Sequence, residues 1–191
     1  MTNLLKSKKI IILIFSIIIV FVICFIFKDV ILKMIYQKNY EEIIVKYSEK
    51  YQVDENLVFA IIKTESNFDK DVISNKGAVG LMQLMTNTAK EVALKNNIEL
   101  DVNNIEQDLL TPEKNIEIGT KYIGMMIQKY GNIQVALAAY NAGTGTVDNW
   151  IEKGIIKADG SDIENIPFKE TNMYVRKILR DYEIYAKLYK I

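Results

Sequence analysis

Ile10 to Phe27 is a run of 18 residues without a charge, relieved only by Ser16 and Cys24. As a helix rising about 1.5 Å per residue it covers roughly 27 Å, close to the hydrocarbon thickness of a bilayer. Lys6, Lys8 and Lys9 precede the run, whereas Lys28 and Lys33 behind it are offset by Asp29. That lysine bias places residues 1–9 in the cytoplasm and the rest of the chain outside. A cleaved signal peptide also opens with lysines and an apolar stretch. Its apolar core is usually shorter, however, and no small-x-small cleavage site follows Phe27. A lipid-modified Cys24 fits poorly, because the bulky Ile23 precedes it and the run continues beyond it. The expected organisation is a cytoplasmic tail (1–9), a membrane anchor (10–27), a short stalk (28–40) and one domain (41–191).

Beyond the run, 164 residues remain, enough for one hydrophobic core and short of two. They carry 21 Lys and Arg against 24 Asp and Glu, a net charge of −3 that gives no basic surface for nucleic acid. Histidine is absent and the single cysteine, Cys24, lies in the apolar run. No intrachain disulfide, Cys/His zinc site, or Ser-His or Cys-His nucleophile can be assembled. Catalysis by this chain must rest on carboxylates, hydroxyls, amides and tyrosines.

From Tyr40 onward apolar residues recur at intervals of three and four, and nowhere alternate long enough for a sheet, so the domain reads as all-α. Asp54 is an N-cap for a helix that buries Leu57, Val58, Ile61 and Ile62 and delivers Glu65 near its C-terminal end. Thr86 is read as the cap of a helix reaching Val92. Thr111-Pro112 opens a longer helix to Tyr130, with Gly131 as its stop. Gly119 and Gly124 within it mark close approach of a neighbouring helix. Ile133 to Asn141 forms a short alanine-rich helix broken by Gly143 and Gly145. Thr171 opens a last helix along which Tyr174, Ile178, Tyr182, Tyr185 and Tyr189 share one stripe.

Glu65-Ser66 alone is a weak signal, since a glutamate at a helix end is usually a solvated charge. Here it follows an apolar run at a helix C-terminus, where desolvation and the helix dipole both disfavour ionisation. A carboxyl with a raised pKa suits a general acid. Gly80-Leu81-Met82-Gln83 reads equally as a glycine turn entering a buried segment, except that Gln83 must find partners for its amide. Ala139-Tyr140-Asn141-Ala142-Gly143 reads as a helix end, yet it offers a hydroxyl and an amide as neutral partners for a carboxyl.

Taken together and in order, these strings resemble the lytic transglycosylase domain of the soluble-lytic-transglycosylase type, glycoside hydrolase family 23, related to goose-type lysozyme. The resemblance runs from about Tyr47 to Tyr189. It includes the Ser74-Asn75-Lys76-Gly77-Ala78-Val79-Gly80 approach and the late Ile166-Pro167-Phe168-x-Glu170-Thr171-x-x-Tyr174-Val175 string. It implies a lysozyme-like fold, peptidoglycan glycan strands as substrate and no cofactor or metal. It also implies Glu65 as catalytic acid and base, with Ser74, Gln83, Met85, Tyr140, Asn141 and Tyr174 contacting substrate or lining the sugar cleft. Similar domains often carry proline at the positions of Thr86 and Thr144 and arginine at Asn172, which bears on loop rigidity rather than on the proposed chemistry.

The implied reaction cuts between N-acetylmuramic acid and N-acetylglucosamine and closes a 1,6-anhydro ring without consuming water. Two alternatives stand beside it. One is hydrolysis by a muramidase with a second carboxylate, for which Asp69 and Asp71 are near in sequence but read as a solvated turn. The other is a membrane-tethered scaffold that binds glycan without cutting, whose signature would be loss of the acid at position 65.

Overall fold

The computed structural model describes residues 2–189, with side chains from Lys9 onward. Met1, at the start of the expected tail, and Lys190 and Ile191, at the end of the expected domain, lie outside the described residues. The chain divides into two compact units, one ending at Gln37 and the other beginning at Lys38.

The first unit is helical. α1 (Thr2–Ile26) contains the apolar run except its last residue, Phe27, and is, among the described residues, the one helix long and apolar enough to cross a membrane. α2 (Lys28–Ile35) follows almost directly, with Phe27 N donating to Ile23 O and Ile31 N to Phe27 O. Most of the expected stalk is therefore helix, its Val30, Ile31, Met34 and Ile35 exposed.

The second unit is an all-α domain around two short helices whose middles are wholly apolar and buried. α4 (Glu55–Glu65) buries six successive residues, Leu57 to Ile62, and α8 (Ile133–Ala142) buries Val135 to Ala139. A helix buried on every side carries no amphipathic stripe, so its caps must fix its ends. Asp54 caps α4 by accepting from Asn56 N at 2.8 Å, and Asn132 caps α8 by accepting from Val135 N at 3.0 Å. Burying each large aliphatic side chain contributes about 1.5–3 kcal/mol, so this pair holds much of the domain's stability.

Around them pack α3 (Glu41–Tyr51), α5 (Thr86–Asn96), α6 (Ile105–Leu109), α7 (Pro112–Tyr130), α9 (Thr144–Glu152) and α10 (Lys169–Leu188). α10 lies along both α4 and α8, and α7 joins α3 to α8. The α4–α10 seam runs antiparallel. Tyr182 donates to Asp54 Oδ2 at 2.7 Å at the start of α4, the Phe59 and Tyr185 rings stack 5.4 Å apart at its middle, and Tyr174 meets its last residue.

Several elements differ from their sequence reading. Thr86 begins α5 without capping it, because Met85 occupies the cap position in extended conformation, and the helix runs on to Asn96. Thr171 lies inside α10, capped at Phe168, and donates instead to Asn141 Oδ1 at 2.8 Å. Gly119 does admit a close neighbour, but the neighbour is a turn: a Cβ there would stand 2.4 Å from Met82 Sδ. At Gly124 the neighbour is Val53, just beyond α3. Gly143 alone breaks α8 from α9, at φ 87° and ψ 145°, a conformation natural only to glycine. Gly145 lies within α9.

A small antiparallel ladder, β1 (Ala78–Val79) with β2 (Leu84–Met85), completes the domain, pairing Ala78 with Met85 and Val79 with Leu84. Two-residue strands are too short to register as alternation in sequence.

Candidate active site

Between β1 and β2 the chain turns through Gly80-Leu81-Met82-Gln83, the glycine turn into a buried segment that the string suggests. Leu81 and Met82 are buried, while Gln83, at φ 47°, turns back to line a cleft. Asn115 of α7, fully buried, fixes the turn: its Oδ1 accepts from Met82 N at 2.8 Å, and its Nδ2 donates to Val79 O at 2.9 Å and Leu109 O at 2.8 Å. Gly80 is required there, since a Cβ would fall 2.3 Å from Asn115 Nδ2 and 2.4 Å from Leu109 O. Ser66 fixes the other side by donating to Leu81 O at 2.9 Å, so the residue after Glu65 ties the end of α4 to this turn.

The cleft so formed, about 390 Å³, is lined by Glu65, by Ser74, Asn75, Lys76 and Ala78 before the turn, by Gln83 and Met85 after it, and by Tyr140, Asn141 and Glu170 opposite. Six of the seven expected site residues thus face one space. The seventh, Tyr174, buried in α10, donates its hydroxyl to Glu65 Oε1 at 2.7 Å. Tyr140, expected to orient the carboxyl, instead donates to Met82 O at 2.8 Å and packs its ring 5.1 Å from that of Tyr122. Asn141 accepts from Thr171.

Other polar groups are also committed. Ser74 Oγ accepts from Ala78 N at 3.0 Å, so it shapes the turn and keeps its own proton for a ligand. Gln83 spends its amide nitrogen on Val72 O and Gly80 O, at 3.1 and 2.8 Å, leaving its carbonyl oxygen as the group able to take a sugar hydroxyl. Met85, 46% exposed, presents an apolar face to the cleft.

Glu65 is partly buried at the last residue of α4, and among the described residues it makes no ion pair. Burial pushes its carboxyl up to about 7, against the opposing effects of the Tyr174 hydroxyl and the more distant Lys177 charge. Burial also holds Tyr140 and Tyr174 well above the usual phenol range, so both remain neutral hydrogen-bond donors. The site therefore provides a carboxylic acid that gives up its proton near neutrality, oriented by one uncharged donor.

Two rim residues escaped the sequence reading. Lys76 and Glu170, both exposed, approach to 3.7 Å across the cleft mouth. No periodicity marks such a pair, although both residues lie within the strings that carry the family resemblance. Asn115 left one signal, an amide beside Ile116 on an apolar helix face. Asp69 and Asp71 do not line the cleft: Asp69 accepts from Asp71 N at 3.0 Å and Asp71 pairs with Lys70 at 2.6 Å in an exposed turn. Among the described residues no group of three or more acidic, Cys or His side chains is placed to hold a metal.

The profile of the transglycosylase SLT domain matches residues 42–161. The soluble lytic murein transglycosylase of Salmonella typhimurium is 37% identical over 150 residues, which cover 78% of this chain and 23% of that protein. Membrane-bound lytic murein transglycosylase C of Edwardsiella ictaluri is 36% identical over 117 residues, covering 57% and 32%. Among solved structures, an inactive mutant of lytic transglycosylase Slt from Pseudomonas aeruginosa superposes with a TM-score of 0.74 at 35% identity, over 82% of this chain and 25% of the other. The matched region thus spans about a quarter of the soluble relatives' length.

Proposed function

This chain belongs to the transglycosylase SLT domain family, and on that premise we propose that it is a membrane-anchored lytic transglycosylase of peptidoglycan, with residues 41–191 as its catalytic domain. The observation that carries the reading is Glu65: a partly buried carboxyl without an ion-pair partner among the described residues, held on the Tyr174 hydroxyl in a cleft with room for sugar.

In its acid form Glu65 protonates the oxygen joining C1 of N-acetylmuramic acid to N-acetylglucosamine. As the C1–oxygen bond breaks, the muramic acid's own N-acetyl oxygen bonds to C1 and takes up the positive charge. The C6 hydroxyl then attacks C1 and displaces the N-acetyl oxygen, and its proton passes to the Glu65 carboxylate. One bond to C1 has been exchanged for another, the acid is regenerated and no water enters. Tyr174 fixes the carboxyl for both transfers, while Ser74, Gln83, Met85, Tyr140 and Asn141 line the sugar-binding surface.

A second reading, hydrolysis, takes support from Glu170, the other carboxylate lining the cleft. Its exposure and its pairing with Lys76 favour a solvated charge over a base that activates water. Digesting purified sacculi with the full chain in detergent and weighing the fragments separates the two. Ends lighter by one water are expected; ends at the mass of a reducing sugar would assign hydrolysis, and no release at all would leave a scaffold.

The anchor rests on the length and composition of α1, on the lysines before it and on the membrane-bound relative. In this reading the N-terminus is cytoplasmic and the domain acts on wall near the outer membrane face. Even fully extended, the stalk of about a dozen residues reaches roughly 40 Å, and the helix Lys28–Ile35 shortens it. Fractionation should find the full-length chain in membranes; a processed, soluble product would contradict the anchor.

A further inference from the structure

The α4–α10 seam holds a second carboxylate that the proposed reaction does not use. Asp181, with no exposed surface, accepts from its neighbour Arg180 through Nε at 2.9 Å and Nη2 at 2.8 Å, both on Oδ1. Across the seam, Lys63 Nζ stands 3.8 Å from Asp181 Oδ2, with the lysine side chain itself only 14% exposed. Lys63 is two residues before Glu65, and Asp181 is two helical turns, about 10 Å, along α10 from Tyr174. The last turn of α4 is therefore fastened to α10 twice, by Lys63 on Asp181 and by Glu65 on Tyr174.

We propose that Asp181 is a positioning residue for Glu65: by clamping Lys63 from the opposite helix it seats the end of α4, so that the Glu65 carboxyl stays on Tyr174 and away from water. An ion pair this buried adds little net stability in general, because desolvation offsets attraction. What it does provide is register, since Lys63 Nζ comes within ion-pair distance of Asp181 Oδ2 in one placement of the two helices. Register matters most at a helix end, where fraying is otherwise easy. The assignment rests on the reading of Glu65 as the acid but is tested without cleavage.

The charged and titratable groups around Glu65 are Lys63 on its own helix, Tyr174, Lys177 and Glu170 from α10, Tyr140 from α8 with Tyr122 of α7 behind it, and Lys76 at the cleft mouth. Lys63→Met and Asp181→Asn both open the clamp but change the charge near Glu65 in opposite directions. Through charge alone, losing the lysine would raise the Glu65 midpoint and losing the aspartate would lower it. Through the clamp both lower it, because loosening admits water and burial is what holds the carboxyl high.

The experiment is a ¹³C NMR titration of the Glu65 carboxyl in the full-length chain in detergent, assigned by difference from Glu65→Gln. Both variants are expected to move the midpoint downward by roughly half a unit or more. Opposite shifts, or a lowered Tm with the midpoint unmoved, would overturn the proposal. If Asp181→Asn does not fold, Lys63→Met decides by the sign of its shift. A chain that shows both downward shifts yet releases no fragments would refute the proposed activity and leave the clamp standing.

Discussion

The two carboxylates of the α4–α10 seam belong to one interface and answer to different physics. Asp181, fully buried, lies between Lys63 and Arg180, whereas Glu65, only partly buried, faces a tyrosine hydroxyl and makes no ion pair among the described residues. Burial penalises a charge unless a counter-charge compensates it. At Asp181 the counter-charges are supplied; at Glu65 they are not, and its proton is held up to about pH 7. The more exposed carboxylate is the one proposed to react, because no counter-charge offsets its burial.

The contrast breaks first at Glu65. Glu65→Gln should keep the fold and the Tyr174 contact while cutting fragment release from sacculi by about 10²–10⁴-fold, the scale of general acid catalysis. Unchanged release would remove Glu65 from the chemistry. At the other carboxylate the loss should be stability: Asp181→Ala leaves Lys63 facing an apolar seam and should destabilise the domain by about 3 kcal/mol, read by denaturant titration. A cost near zero would mean that the pair is solvated and the contrast false.

Tyr174→Phe should give the smallest effect and sharpens the comparison most. The hydroxyl favours the ionised form of Glu65, so removing it should raise the midpoint above about 7 and move the alkaline limb of activity with it. The rate below that limb should fall by about tenfold, as for loss of one hydrogen bond to an ionisable group. A limb moving toward lower pH would mean that water, admitted by the change, outweighs the lost bond.

Much of α4 was legible in sequence because its determinants are local. Asp54 lies two residues from the amide it caps, and the apolar residues that bury the helix precede Glu65 directly. Thr111-Pro112 and Gly131 likewise bound α7 by local chemistry. Partners chosen by tertiary packing were not legible. Tyr174 reaches Glu65 across 109 residues, and the nearer candidate in the motif, Tyr140, went to the Met82 carbonyl. Thr171 bonds Asn141 instead of capping α10, because Phe168 already occupies the cap position. Gly119 shows the same limit: its sequence announces a close neighbour, but only the fold identifies Met82.

The most direct test of a proton held by burial is the titration of the Glu65 carboxyl in the unmodified chain, followed by ¹³C NMR beside the pH dependence of fragment release. A midpoint near 7, with release falling as pH rises through it because the acid form is the donor, is the predicted result. A midpoint near the ordinary glutamate value of 4.5 would show a solvated carboxylate and contradict the account.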